Sequence, residues 1–421
     1  MHHRFALLFS AVLATASGFA GHAAAEPPLA DSRCASAGLV DPAFRDAALA
    51  ALERLVVHAP GQPADGAVRS HQTAGLLDAE GHAWYQVSAY QVNLGVIGAL
   101  SVGPRALPLA ADWLRWQARH IALRGAARGV VLDTWVRADT LEESTCPSGL
   151  APRLCSDVDA YDSTAATTLL VADAYLRRGG DALLLREPAM REALEAAASA
   201  LAALLTPDGL TLAKPTHPIV YTMDQVEVAA GWRAWARLQR NVYAQPASAD
   251  NTLATAIKAE AAVRSRLALE GAWSVSLNSG QPLRSRWYPD TVAQAWPLLW
   301  LPEANDRARP VWIKAISPWQ GAARLNWTLV NVDPDGFWWP AAAAAAACTG
   351  DEANARAWVA RARQRWLDPA APFAWPFQVG DLLWLLWLAE PQQPPSRVRS
   401  DSSAAKPLAL LSTVTHQELL T

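Results

Sequence analysis

Residues 87–100 read VSAYQVNLGVIGAL, and residues 104–123 read PRALPLAADWLRWQARHIAL. The first stretch is apolar on nearly every side, which predicts a helix buried on all faces. The second carries Asp112, Arg115 and Arg119 on one stripe, which predicts a helix with one face in solvent. Together they predict a hairpin made of an inner and an outer helix.

The same alternation recurs along the chain, and composition agrees with it, because Ala, Leu and Arg dominate whereas runs of Val, Ile and Thr are scarce. Buried helices are predicted at 87–100, 157–178, 221–240, 289–301, 338–348 and 377–388. One-faced helices are predicted at 41–57, 104–123, 187–205, 249–269, 306–316 and 351–366. Pro297, Pro302 and Pro310 interrupt the helical pattern at 289–316, so the number of helices in this segment could differ by one. Six hairpins predict an all-α (α/α)6 toroid, an inner ring of six helices inside an outer ring of six.

The two termini differ from this pattern. Residues 1–25 begin with His2, His3 and Arg4, continue through an apolar run and end in three alanines, which predicts a cleavable signal peptide and a periplasmic or secreted protein. No later segment predicts a membrane span. Residues 391–421 are rich in Pro, Gln, Ser and charge, which predicts a mostly disordered tail. The toroid is therefore expected over residues 26–390.

The charge balance and the cysteines limit the classes of function. A formal net charge of -3 gives no electrostatic case for a nucleic acid or an anionic membrane as partner. Cys146 and Cys155 bracket a short loop and predict a local disulfide, while a Cys34–Cys348 pair stays open. The sequence has no CxxC, HExxH, GxSxG or phosphate-binding glycine loop, so neither a metal nor another cofactor is predicted.

Aromatic and acidic residues gather before or at the starts of the predicted inner helices. Because parallel inner helices bring their N-terminal ends to one rim, these residues are expected to line one cleft, where flat aromatic rings can stack on sugars. The alternative is that the 20 tryptophans cover a large core. The candidate sugar-binding residues are Tyr90, Trp135, Asp159, Tyr161, Tyr221, Arg286, Trp287, Tyr288, Trp338, Trp339 and Trp375.

Glycoside cleavage needs two carboxyl groups, one protonated and one ionised. The rim offers Asp162, Asp224, Glu227 and Asp290 as catalytic candidates, and close like charges would raise the pKa of one of them. The alternative is helix capping, because residues 224–227 fit a capping box and Asp162 or Asp290 could be simple N-caps.

Three runs carry a resemblance to a known group: YDSTAATTLL at 161–170, MDQVEVAAGW at 223–232 and WYPDTVAQAWP at 287–297. They resemble bacterial proteins of the six-hairpin glycosidase superfamily over most of residues 40–390. The resemblance implies an (α/α)6 toroid and a glycoside hydrolase, with lyases, epimerases and phosphorylases among its relatives. It carries over Asp162 and Asp224 as the carboxyl pair, with Glu227 and Asp290 as substitutes.

The sequence therefore predicts a glycosidase that acts on a bacterial poly- or oligosaccharide, with carbohydrate as its partner. One alternative is a non-catalytic polysaccharide-binding or export-assisting protein on the same fold. The other is a polysaccharide lyase or sugar epimerase, which would use Tyr or His as its base instead of a carboxyl pair.

Overall fold

The computed structural model describes residues 38–301, 305–321, 326–329 and 332–389. The predicted signal peptide (1–25), Cys34 and the predicted tail (391–421) lie outside the described residues. Within this part of the chain the α-helices are α1 (Pro42–Leu55), α2 (Ala89–Val102), α3 (Leu107–His120), α4 (Tyr161–Arg177), α5 (Ala182–Arg186), α6 (Pro188–Leu204), α7 (Thr222–Asn241), α8 (Pro246–Ala262), α9 (Trp296–Trp300), α10 (Asn305–Ile316), α11 (Pro340–Cys348), α12 (Glu352–Trp366) and α13 (Leu382–Trp387).

The inner helices close into a ring. Helix α2 contacts α4, α4 contacts α7, α7 contacts α9, α9 contacts α11, α11 contacts α13, and α13 returns to α2. Each inner helix also contacts one outer helix, in the pairs α2/α3, α4/α6, α7/α8, α9/α10, α11/α12 and α13/α1. The predicted (α/α)6 toroid of six hairpins is confirmed, with the first outer helix packed on the last inner one.

Close approach of α2 to the last hairpin depends on two glycines. A Cβ atom at Gly98 would lie 2.4 Å from the carbonyl oxygen of Leu382, and one at Gly95 would lie 2.5 Å from the carbonyl oxygen of Val379. Any side chain here would push α2 away from α13, so glycine is what allows the ring to close.

The fourth inner element is irregular, where the sequence left the count open. A π-turn (Trp287–Thr291) and a 3-10 turn (Val292–Gln294) precede α9. Pro289 and Pro297 lie in this segment and lack the N–H that a continuous helix would use. The segment still fills its place between α7 and α11, so the count of six inner elements holds.

A small antiparallel sheet was not predicted. It contains four strands, which lie side by side in the same order as in the chain: β1 (Leu76–Leu77), β2 (Ala83–Val87), β3 (Thr134–Arg137) and β4 (Glu143–Ser144). Two further strands, β5 (Ala268–Leu269) and β6 (Ala272–Trp273), form a separate pair. Such strands are too short to produce a recognisable period-2 pattern in the sequence.

Beside β4, Cys146 and Cys155 form the predicted disulfide, with Cα atoms 4.5 Å apart. The Cys34–Cys348 pairing, which the sequence leaves open, involves Cys34, and Cys34 lies outside the described residues.

Two further expectations bear on the described chain. Asp41 caps α1 at the start of the helix predicted over 41–57, because its carboxylate accepts a hydrogen bond of 2.9 Å from the Phe44 amide. Among the described residues no helix combines the length and the apolar character that a membrane crossing requires.

Candidate functional site

Two neighbouring inner helices bring three carboxyl groups together. Asp162 lies in the first turn of α4, while Asp224 and Glu227 lie at the start of α7. Each carboxyl raises the pKa of another: the Asp162 charge acts on Asp224, the Asp224 charge on Glu227 and the Glu227 charge on Asp162. We call Asp162, Asp224 and Glu227 the carboxyl trio.

The capping-box alternative is wrong for residues 224–227. Helix α7 begins after Tyr221 without any side-chain cap, and α4 begins after Ala160 in the same way. Glu227 instead accepts hydrogen bonds on Oε1 from the Tyr90 hydroxyl and the Trp296 indole, both at 2.9 Å. These donors come from α2 and α9, so Glu227 joins three inner helices.

Glu227 is fully buried. Its side chain has no exposed surface, and its second oxygen, Oε2, has no hydrogen-bond partner. Burial, together with the Asp224 charge, raises its pKa to about 8, although the Trp296 and Tyr90 donors lower it. Glu227 is therefore mostly protonated at neutral pH.

Asp162 is buried but well satisfied. It accepts hydrogen bonds from the Thr211 hydroxyl at 2.7 Å and from the Ser163 amide at 2.8 Å. Burial raises its pKa to about 7, with the Glu227 charge adding to that effect. Asp162 can therefore change its charge near neutral pH.

Asp224 is the only half-buried member of the trio, since the other two have no exposed surface. Burial, then the charges of Asp162 and Asp159, raise its pKa well above the usual value for an aspartate. The Ser163 hydroxyl lies close to both Asp224 and Glu227 without satisfying hydrogen-bond geometry to either.

Three unpartnered atoms thus meet in this place: Asp224 Oδ2, Glu227 Oε2 and Ser163 Oγ. Ionised carboxyl oxygens only accept hydrogen bonds, and one hydroxyl supplies a single hydrogen. The Ser163 hydroxyl can therefore donate to only one of the two carboxyl oxygens at a time. A proton on Asp224 or Glu227 would satisfy the other oxygen, in agreement with the raised pKa of both groups.

A fourth carboxyl, Asp159, lies at the exposed edge of this cluster. Its charge contributes to the raised pKa values of Asp224, Tyr221 and Tyr288, the last of which reaches about 12, with desolvation the larger cause in each case. The cluster thus contains one solvent-facing acid beside a buried, protonated group.

Asp290 has a different environment. Its Oδ1 accepts from the Leu283 amide at 2.6 Å, and its Oδ2 accepts from the Arg286 guanidinium four residues earlier. Both candidates from this segment, Arg286 and Asp290, therefore bond to each other. Their contacts stabilise the turn before α9.

Aromatic rings extend from the trio in a continuous row. The Trp296 ring meets Trp339 edge-on at 6.2 Å, and Trp339 stacks on Tyr288 at 4.8 Å with an interplanar angle of 15°. Trp339 holds a φ of 33°, a strained value for a bulky residue. Phe337 connects this group to Trp375 at 5.5 Å. Tyr288 and Trp375 are 43% and 46% exposed, so the row offers open ring surface.

Other predicted aromatic residues lie in packed surroundings. Trp287 is buried edge-on against Trp319, and Trp338 packs against Trp358 and Trp366. Trp135 is buried in the sheet opposite Gln86. For these tryptophans the core-packing alternative describes the contacts.

The remaining two tyrosines lie at the helix starts. Tyr161 is half-buried, and its amide bonds to the Ala213 carbonyl at 2.7 Å. The Tyr221 hydroxyl lies 2.9 Å from Nε2 of His217 and its ring stacks on that histidine. His217 thus supports Tyr221 at the rim.

Sequence reasoning missed two residues at the trio, Ser163 and Trp296, and a further buried acid, Asp133, whose pKa responds to Asp159. Asp133 accepts from the Gln86 amide at 3.0 Å, while its other oxygen has no partner. Burial, with the charges of Asp159 and Asp157, raises its pKa to about 6. The only available signal was its position two residues before Trp135.

One group has the residue types of a metal site. Ligand atoms of Asp78, Glu80 and His82 lie within 4.8 Å of one another. The Asp78 carboxylate already accepts from the His82 and Glu80 amides and from the Trp84 indole. We assign these contacts to the turn between β1 and β2.

Comparison with solved structures supports the fold. A glycosidase variant covers 85% of this chain and 96% of its own, at 15% identity and a TM-score of 0.54. A glycosidase variant in complex with glucose gives 14% identity, the same coverage and a TM-score of 0.53. An alpha-amylase from Clostridium perfringens gives 8% identity, 82% and 96% coverage and a TM-score of 0.46. No protein-family model matches the sequence, and no curated protein matches it.

Proposed function

We propose that this protein is a glycoside hydrolase of the six-hairpin superfamily that cleaves a bacterial poly- or oligosaccharide at the carboxyl trio. The observation that carries the proposal is the position of Asp224. It is half-buried, it has an unpartnered oxygen, and burial together with the charges of Asp162 and Asp159 keeps its pKa high. These are the properties of a general acid, which must hold a proton until the glycosidic oxygen leaves.

Asp224 is assigned as the general acid because Asp162 and Glu227 are too deeply buried to touch a sugar. Those two carboxyls act as positioning residues: the Asp162 charge helps to keep Asp224 protonated, and Glu227 connects the start of α7 to Tyr90 and Trp296. Asp159 is assigned as the ionised partner, since it is exposed and lies close enough to Asp224 to raise its pKa. Inverting and retaining mechanisms both use such an acid and carboxylate pair.

The aromatic row supplies the binding surface for the substrate. Tyr288 stacked on Trp339 presents a flat ring beside the acid, and Trp375 continues the surface away from it. Rings in a row suit a chain of neutral or mixed-charge sugar units. Asp290, Trp287 and Trp338 are assigned to structure, because their contacts lie within the surrounding helices and turns.

The test is product analysis on a panel of bacterial exopolysaccharides. Wild-type protein is expected to release new reducing ends from one of them, whereas Asp224→Asn and Asp159→Asn release almost none. Asp208→Asn, at an exposed loop acid paired with Arg266, is the matched control and should keep full activity.

Other outcomes distinguish the alternatives. Saturable binding without new reducing ends on any polymer would overturn hydrolysis in favour of a binding or export-assisting protein. Products that absorb in the ultraviolet, formed from uronate polymers, would instead indicate a lyase. Activity that survives Asp224→Asn would overturn the assignment of the acid.

The proposal includes export, which the N-terminal sequence supports. Expression in a bacterium with a periplasm should yield a mature chain beginning at Glu26. Mass spectrometry of the periplasmic fraction measures this, and recovery of the full-length chain in the cytoplasm alone would contradict it.

A further inference from the structure

The mouth of the toroid opposite the carboxyl trio contains a cavity of about 260 Å³. Its walls come from the last turns of the inner helices α2, α4, α9 and α13, which end together at this mouth because the inner helices run parallel. The wall residues that matter for the argument are Leu100, Ser101, Arg178, Trp300, Trp384 and Trp387.

Arg178 brings a positive charge to the cavity without an acidic partner. Its guanidinium donates to the Ser101 carbonyl oxygen, and no carboxylate of the described residues pairs with it. Its neighbour Arg177 differs, because it forms an ion pair of 2.8 Å with Asp173. Desolvation and the Arg177 charge lower the pKa of Arg178, so a bound anion would relieve an unfavourable environment.

Trp300 adds an aromatic wall to the cavity. The residue is 3% exposed. Its ring meets Trp384 edge-on at 5.6 Å, and Trp384 meets Trp387 at 6.0 Å. Three neighbouring indoles give the cavity an extended apolar surface, which favours a ligand with an apolar body.

We propose that this cavity binds a small monoanion with an apolar body, of the kind represented by a medium-chain carboxylic acid. The carboxylate pairs with Arg178 and the chain packs among the indoles and Leu100. A sugar fits less well, because its many hydroxyls would face aliphatic and aromatic walls with few polar groups. A cation is excluded by the unpaired guanidinium.

Isothermal titration calorimetry on the full mature protein tests the proposal with two probes of equal chain length. Decanoate is expected to bind with one-to-one stoichiometry, and decanol to bind at least about tenfold more weakly because it lacks the charge. Equal affinity for the two probes, or no binding of decanoate, would overturn the proposal.

Two variants locate the site. Arg178→Gln should weaken decanoate binding about tenfold, and Trp387→Ala, which removes part of the aromatic wall, about fivefold. Arg115→Gln, at an exposed arginine on α3 paired with Asp112, is the control and should bind as the wild type does. If Arg178→Gln fails to fold, Trp387→Ala decides alone: unchanged affinity in that variant would reject the cavity as the site.

Discussion

The two mouths of the toroid have opposite chemistry although the same inner helices form both. At the N-terminal ends lie the carboxyl trio and the aromatic row, and at the C-terminal ends lie Arg178 and three indoles. Helix dipoles would favour ionised carboxylates at the first mouth by about 0.3–1 kcal/mol each. Burial nevertheless raises the pKa of Asp162 to about 7 and of Glu227 to about 8. Desolvation therefore outweighs the dipole and decides the protonation at that mouth.

The largest expected effect is the loss of kcat when the proposed general acid, Asp224, is replaced. Asp224→Asn should lower kcat by about 10³-fold, because a positioned general acid contributes about 10²–10⁴-fold. Steady-state kinetics on the polymer identified in the panel measures this. The far mouth should not respond: decanoate affinity of the variant should equal that of the wild type.

At the first mouth, residues of the aromatic row should affect substrate binding, whereas the carboxyl groups affect the chemical step. Tyr288→Ala removes an exposed ring of the aromatic row and should raise KM roughly tenfold with little change in kcat, since stacked area contributes to binding and not to proton transfer. Ile313→Ala, at an exposed apolar residue of α10, is the control. A fall in kcat without a change in KM would contradict the role given to Tyr288.

Asp162→Asn tests whether this buried residue sets the pKa of the acid. A general acid loses activity as pH rises through its pKa, and removing the Asp162 charge lowers the pKa of Asp224. The alkaline limb of the kcat/KM profile should therefore move to lower pH. A purely structural role would reduce activity equally at every pH and leave the limb in place.

The smallest expected effect concerns stability. The folded-state pKa of Glu227 is about 8, above the ordinary 4.5, so its contribution to stability is complete below pH 4.5 and is lost as pH rises through 8. Glu227→Gln does not titrate, so its Tm should fall less than that of the wild type between pH 5 and 9, by roughly 2–5 °C. Parallel Tm curves in a thermal melt would contradict the raised pKa.

Much of the fold was predictable because each hairpin carries its own periodic signal. The apolar sequence of α2 predicts an inner helix and the single polar face of α3 predicts an outer one, and both predictions depend only on residues within each helix. The short strands β1–β4 and the turns before α9 were not predictable, because they depend on contacts between distant segments, such as Gln86 opposite Trp135.

The site was predictable in type and only partly in detail. Tyr beside Asp at helix starts indicated Asp162 and Asp224, and the structure places both in one cluster. The same pattern selected Asp290, which bonds to Arg286, and the aromatic residues at helix starts selected Trp338, which packs on Trp366. Local sequence cannot tell these cases apart, since each begins with the same residue types.

The sequence by itself determined the helical periodicity, the six hairpins and the residue types at the ends of the inner helices, because these depend on neighbours three or four positions away. Only the tertiary structure decided which carboxyls meet, which oxygens lack a partner and which tryptophans stay exposed. Those properties depend on burial, and burial is set by chain segments far apart in sequence: Tyr90 and Trp296 reach Glu227 across 137 and 69 residues.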